Sequence, residues 1–380
     1  MSTKIVLAID SLKGCLTSTE AGMAAAQGVR KACPTCETIV FPVADGGEGL
    51  LEALVNATKG TWVRLQAHGP LMEMRNTCYG LSEDGKTAFI EMARISGLPL
   101  VPEGQRSPLI TTTYGTGELI KDALRRGCRR ILIGLGGSAT NDAGMGLLQA
   151  LEYRFTDNNG QEIGLGGQAL TRVEHIDAAQ VMPEVKEALF TAACDVRNPF
   201  YGPEGAACIF APQKGADREQ VRTLDKGLRH FSRIIRKYTG KDVQLLPGSG
   251  AAGGMGGGLY ALLQADLRPG IELILEATGF LAKIQGADFV ITGEGKSDRQ
   301  TLMGKVPAGV LKVARQMDIP VALLAGQVED AGLLLQAGFK CVHCINPPGT
   351  PLPLALHPEF ARAQLARTAE CLIRQYFPAS

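Results

Sequence analysis

The feature that most limits what this chain can become is an alternation. Short apolar runs end in loops rich in glycine and acid, and each loop leads into a helical stretch. "KIVLAI" (4–9) precedes "DSLKGCLT" and a helical stretch starting at Ser18, and "TIVFPV" (38–43) precedes "ADGGEG" and "GLLEALVNA". Near the other end "ADFVITGEG" (287–295) leads to a helix from about Pro307, and "PVALLAG" and "CVHCIN" repeat the pattern. Strands alternating with helices imply parallel sheets joined by right-handed crossovers.

The middle begins differently. From "TWVRLQAHG" to "TAFIEMA" several strands follow one another with no helix between them, which implies an antiparallel portion. Alternation then resumes with "GELIKDALRRG", "RRILIGLGG" and "NDAGMGLLQALE". No polar linker or repeat interrupts the chain. The expected fold is α/β, with two domains and mainly parallel sheets. Residues 1–60 and 285–380 form a discontinuous Rossmann-like domain, residues 61–284 form an inserted mixed-sheet domain, and the ligand cleft is expected between them.

Composition removes several functions. Lys and Arg number 39 against 38 Asp and Glu, a formal net charge of +1, so nothing favours nucleic acid or an anionic membrane surface as partner. No apolar run of about 18 or more residues suggests a membrane span. "MSTKIVLAID" reaches a charged aspartate too early for a signal peptide, and ten cysteines then read as reduced thiols of a cytoplasmic protein. The pairs Cys33/Cys36 and Cys341/Cys344 read as small packing residues rather than halves of a zinc site. Glycine, at 47 of 380 residues, is roughly twice its usual share. Glycines gathered in loops let backbone N–H groups approach a ligand.

Two glycine loops compete for an anion. Gly80–Thr87 ("GLSEDGKT") fits the phosphate-loop pattern by letter, but "AFIEMA" follows it and Asp84-Gly85 is a hairpin signal, so a hairpin is expected there. "RRILIGLGGSATNDAG" has the context that the first lacks: an apolar strand, then Gly134, Gly136, Gly137 and Ser138, then a helix near Asn141. It also fits G-x-G-x-x-A, with Glu152 and Asp157 near the spacing of a ribose-binding acid. Three further loops put charge after strands: Asp10, Ser11 and Lys13; Asp45 and Glu48; and Glu294, Lys296, Asp298, Thr301 and Lys305. Ligands bind at the carboxyl ends of such strands, so these loops suggest a polyanion and a metal. Asp195 ends a small-residue strand where a general base belongs, with Gln213 and Lys214 further on. The glycine run of 247–263 fits either close approach to a ligand or close helix packing. No H-E-x-x-H pair or G-x-S-x-G elbow is present.

Taken together, the loops resemble the glycerate kinases of bacterial sugar-acid and glyoxylate pathways. The carriers are "DSLKGCLTSTEA" (10–21), "PVADGGEG" (42–49), "YGTGELI" (114–120), "GLGGSATNDAG" (134–144), "ACDVRNP" (193–199), "APQKGA" (211–216), "AAGGMG" (251–256) and "TGEGKSDRQTLMGKVP" (292–307). Ala143 stands where the family usually has glycine, and Ser249 where it usually has alanine. The resemblance implies the glycerate kinase fold, without a Walker loop, and phosphorylation of (R)-glycerate (D-glycerate) by ATP with Mg²⁺, at the 2-hydroxyl.

Phosphoryl transfer needs cationic clamps, positioning groups and a carboxylate near the attacking hydroxyl. The expected roles follow from that. Lys13 and Lys305 neutralise the phosphoryl group or the glycerate carboxylate; Asp195 is the general base, with Asp10 in reserve. Gly136, Gly137, Ser138, Ala139, Thr140 and Asn141 hold ATP phosphates. Ser11, Asp45, Gly46, Gly47, Glu48, Gly293, Glu294, Asp298 and Thr301 contact substrate, with Asp45 and Asp298 as Mg²⁺ ligands. Phosphorylation at the 3-hydroxyl, a nicotinamide-dependent 2-hydroxy acid oxidoreductase and a non-catalytic sugar-acid sensor stand as alternatives. A monomer and a homodimer are equally compatible with the sequence.

Overall fold

The computed structural model describes residues 3–12, 14–43 and 50–377. In chain order the strands are β1 (Lys4–Ile9), β2 (Glu37–Val40), β3 (Thr61–His68), β4 (Met74–Leu81), β5 (Thr87–Glu91), β6 (Arg130–Gly134), β7 (Arg154–Thr156), β8 (His175–Asp177), β9 (Leu189–Ala193), β10 (Asp266–Arg268), β11 (Phe289–Ser297), β12 (Val321–Val328) and β13 (Cys341–Cys344). The class is α/β, and the chain divides into two compact units, Met1–Gly49 with Gly270–Ser380, and Leu50–Pro269.

In the first unit the sheet runs β13-β12-β11-β1-β2, and every pairing in it is parallel. The continuous apolar run of "KIVLAI" explains its two-sided burial. Ile5, Leu7 and Ile9 enter a core with the helices Ser18–Ala32 and Pro358–Tyr376, while Val6 and Ala8 enter another with helices Gly270–Ala277 and Val306–Arg315. Thr17 caps the first helix and exchanges hydrogen bonds with Glu20, which fixes the start at Ser18. That helix crosses Pro358–Tyr376 so closely that a Cβ on Gly28 would meet the Ala366 carbonyl oxygen at 1.9 Å.

The second unit holds a six-stranded mixed sheet, β10-β9-β6-β5-β4-β3, in which β3, β4 and β5 are the antiparallel portion. Gly80–Thr87 closes the β4–β5 hairpin: Ser82 N–H donates to the Thr87 carbonyl at 3.0 Å and Gly85 takes φ +67°. The outer pair β7–β8 is antiparallel.

Three expectations need correction. The unit boundaries fall at 49/50 and 269/270. Helix Leu50–Ala57 belongs to the second unit because Val55 and Leu51 fill the space over Gly80, and Ile271 belongs to the first because it packs over Gly309. The helix expected near Asn141 begins at Met145, since Asn141 and Asp142 are held in the loop. The cysteines are not all free thiols: Cys33, at the C-cap of its helix, is disulfide-bonded to Cys36, and the remaining eight are unpaired. Among the described residues no helix is long and apolar enough to cross a membrane.

Candidate functional site

In the first unit the strand order reverses between β11 and β1. In doubly wound sheets the carboxyl end of such a switch point is where ligands bind. A cavity of about 760 Å³ opens there, lined on the β1 and β11 side by Asp10, Ser11, Glu294, Lys296 and Lys305, and near β13 by Asn346 and Pro347. Asp10 is buried; its backbone N–H donates to the Gly293 carbonyl at 2.9 Å, and its Oδ1 accepts from Ser11 N–H at 2.7 Å.

Glu294 is the centre of this wall. Its Oε1 accepts from the Ser297 hydroxyl at 3.0 Å and the Thr301 hydroxyl at 2.5 Å, and its Oε2 lies 3.5 Å from Lys305 Nζ. Burial pushes its carboxyl above the usual range; the Thr301 hydrogen bond and the Lys305 charge oppose this. Asp298 caps the turn Arg299–Met303: its Oδ1 accepts from Gln300 N–H at 2.7 Å, and its Oδ2 is 4.0 Å from Lys296 Nζ. Gly293 is required by packing, because a Cβ there would meet the Leu324 carbonyl oxygen at 2.3 Å. Lys13, Asp45, Gly46, Gly47 and Glu48 lie outside the described residues. Among the described residues no three His, Cys, Asp or Glu side chains gather into an ion site.

The second unit carries the glycine loop after β6. Gly137 takes φ +71° and Gly136 faces open space. The loop is tied down on every side: Ala139 N–H donates to the Ser96 carbonyl at 2.9 Å, Thr111 Oγ1 donates to the Ala139 carbonyl at 2.8 Å, and Ala143 N–H donates to the Gly253 carbonyl at 3.1 Å. The glycine run is therefore packing. A Cβ on Gly253 would meet the Thr140 carbonyl oxygen at 2.2 Å, and one on Gly258 the Ala143 carbonyl oxygen at 2.0 Å. Ala143 itself takes φ +52°, a conformation that favours glycine. Glu152 pairs with Lys121 of the helix Tyr114–Arg125, and Asp157 accepts from the Asn159 and Gln161 N–H groups of its own turn.

Beneath the loop, Asp142 is fully buried. It accepts from Thr113 N–H (2.8 Å) and Oγ1 (2.9 Å), and from the Gly144 (3.1 Å) and Gly146 (3.3 Å) N–H groups. Burial raises its carboxyl pKa against the pull of these bonds. Lys214, 2% exposed, donates to Ser138 Oγ at 2.7 Å and to the Thr140 carbonyl at 2.6 Å. Burial drives its ammonium down to about 7, with Asp142 pulling the other way. Thr140 and Asn141 are fully buried. Asp195 is exposed, just beyond the carboxyl end of β9. It neighbours the glycine loop through adjacent strands, since Ala193 pairs with Gly134 and accepts from Leu135 N–H.

Asp142, Thr113 and Ser297 are absent from the site expected from sequence, where Lys214 stands beyond Asp195 without a role. Lys214 had one legible signal: a single lysine in the small, uncharged run "CIFAPQKGA" before Gly215, whose φ of +94° closes a tight turn.

A charged cavity at the switch point of a doubly wound sheet, and a rigid glycine loop over a buried lysine, are the equipment of an enzyme acting on small anions. Comparison with known proteins narrows this. The sequence profile of the glycerate kinase family matches residues 5–377. A glycerate kinase of Halalkalibacterium halodurans is 48% identical over 85% of each chain, and the glycerate 2-kinase of Escherichia coli K12 is 46% identical over 90% of each. A crystal structure of a candidate glycerate kinase 2 from Salmonella typhimurium LT2 superposes with a TM-score of 0.81 at 43% identity, covering 99% of this chain and 98% of that one. The chain belongs to the glycerate kinase family and is a kinase.

Proposed function

We propose that the protein transfers the γ-phosphoryl group of ATP to the 2-hydroxyl of (R)-glycerate, giving 2-phosphoglycerate and ADP, as a step in glyoxylate or sugar-acid breakdown. The observation that carries this reading is the switch-point cavity, where Lys305 and Lys296 stand beside Asp10 and the buried Glu294. Phosphoryl transfer is catalysed mainly by positioning and by stabilising charge, and such a wall supplies both. Glu294, held by Ser297 and Thr301, fixes the Lys305 ammonium toward an incoming anion. Lys13, Asp45, Gly46, Gly47 and Glu48 remain in the proposal as further contacts to substrate.

In the second unit the loop Gly136–Asn141 is assigned to anionic oxygens, its geometry fixed in advance by Ser96, Thr111 and Gly253. Asp195 is assigned as the base that takes the 2-hydroxyl proton as the O–P bond forms, with Asp10 the second candidate. Mg²⁺ uses one or two carboxylates together with substrate phosphates, so Asp298 is proposed as one donor, with Asp45 kept as the second. Bound there, the ion would neutralise phosphate charge.

Incubation with ATP, Mg²⁺ and D-glycerate should release ADP in proportion to glycerate consumed; no ADP release would sink the reading. Proton-coupled phosphorus NMR of the product assigns the position, because a 2-phosphate couples to one ester proton and a 3-phosphate to two. Lys13→Ala and Asp195→Asn should each abolish turnover with the circular dichroism spectrum unchanged, and near-normal kcat in either removes that role.

A further inference from the structure

A buried ammonium is normally held by a carboxylate or by several strong acceptors, because an isolated buried charge is costly. Lys214 breaks that rule. It is almost fully buried, yet both oxygens it bonds are neutral, the Ser138 hydroxyl and the Thr140 carbonyl. Two buried neighbours are unsatisfied as well: among the described residues Thr140 Oγ1 and both amide atoms of Asn141 have no hydrogen-bond partner. Unpartnered buried polar atoms are rare enough in native proteins to need a cause. Thr140 and Asn141 belong to the loop segment whose Ser138 hydroxyl and Thr140 carbonyl hold Lys214, just past Gly137, whose backbone is left-handed.

We propose that Lys214, Ser138, Thr140 and Asn141 form an anion site in the second unit for a phosphate or carboxylate group of substrate, and that this anion brings one proton onto the lysine as it binds. The step balances as a neutral amine, a proton from solvent and an anion becoming an ammonium–anion pair. The Thr140 hydroxyl and the Asn141 Nδ2 donate to the anion. Asn141 Oδ1 accepts from a ligand hydroxyl, which a hydroxy acid carries next to its carboxylate. The charged groups nearest the lysine leave the role of counter-ion open. Asp142 acts on it only through its field while accepting from Thr113, Gly144 and Gly146. Arg106 packs against Gly215, and Asp217 is turned away to cap the helix Arg218–Thr239. The depressed ammonium pKa agrees with a site that waits for its anion.

This inference deepens the assignment of the Gly136–Asn141 loop to anionic oxygens and rests on the kinase reading for the choice of anions to test. Isothermal titration calorimetry of the unmodified protein at pH 7, in two buffers of different ionisation enthalpy, would be run separately with inorganic phosphate, ADP and D-glycerate. Corrected for the ligand's own titration, the ligand that fills the site should bind with uptake of about half a proton by the protein, rising toward pH 8 and fading below pH 6. A response to phosphate or ADP identifies a phosphoryl group, and a response to D-glycerate identifies a carboxylate. Lys214→Met should weaken that ligand by about tenfold or more and abolish the uptake, leaving the others unchanged; Ser138→Ala should weaken it less. Proton uptake with none of the three ligands would overturn the proposal. So would a folded Lys214→Met protein that binds all three as the parent does. ADP release with ATP and glycerate is measured apart, so an active kinase without proton uptake sinks this inference alone.

Discussion

The two units each place a lysine near a buried carboxylate, and the two pairs behave in opposite ways. In the first, Lys305 keeps one end in the cavity and makes direct contact with Glu294, so the acid is the group taken out of water. In the second, Lys214 is the buried partner and Asp142 is too committed to backbone donors to bond it. Burial therefore raises the acid's pKa in one unit and lowers the base's in the other. The same two residue types give a standing ion pair in one place and a cation short of its counter-ion in the other. What differs is which member the packing encloses.

The largest expected effect comes from removing the acid that organises the second unit. Asp142→Ala strands several buried donors and should cost about 3 kcal/mol or more in urea unfolding. A loss below about 1 kcal/mol would mean that water satisfies those donors and that Asp142 is no keystone.

Next in size is a contrast in pH. Lys214 has its folded pKa lowered from 10.5 to about 7, so its favourable contribution is complete above 10.5 and is lost as pH falls toward 7. The stability of the parent minus that of Lys214→Met should therefore shrink from pH 10 to pH 7. Glu294 has its folded pKa raised above 4.5, so its contribution is complete below 4.5 and is lost as pH rises through the folded value. The parent minus Glu294→Gln should shrink in that direction. Equal slopes for the two differences would erase the comparison.

A smaller effect tests whether every lone polar atom near the glycine loop serves a ligand. Ser249 stands where the resemblance implies alanine, is fully buried, and has no partner for its hydroxyl among the described residues. Ser249→Ala should leave stability unchanged or raise it by up to about 1 kcal/mol, with kcat unaltered. A marked loss of activity would add Ser249 to the anion site. The smallest effect is at the hairpin: the Lys86 side chain is exposed, so Lys86→Ala should change stability by less than about 0.5 kcal/mol and leave activity intact. A tenfold drop in kcat would return Gly80–Thr87 to consideration as a phosphate loop.

Much of the fold was legible from local pattern. The unbroken apolar run "KIVLAI" predicted a strand, and burial on both faces agrees with it; the helix expected from Ser18 does start there, capped by Thr17 and Glu20; and Asp84-Gly85 marked the hairpin against the phosphate-loop lettering. The site was legible only as loops. Glu294 and Lys305 were visible as charged residues beside glycines, but the hydroxyls of Ser297 and Thr301 that orient Glu294 depend on a turn closed by Asp298. The glycine run of 247–263 fitted ligand approach and packing equally well until Gly253 was found against Thr140.

By itself the sequence determined the order of strands and helices, the antiparallel insertion and the family, because periodicity, caps and turn residues act over a few positions. Tertiary structure alone decided which ionisable groups lost their water. Lys214 meets Ser138 across 76 residues of chain, and Asp142 meets Thr113 across 29. Desolvation is set by everything that packs around a group, so no short stretch of sequence encodes it.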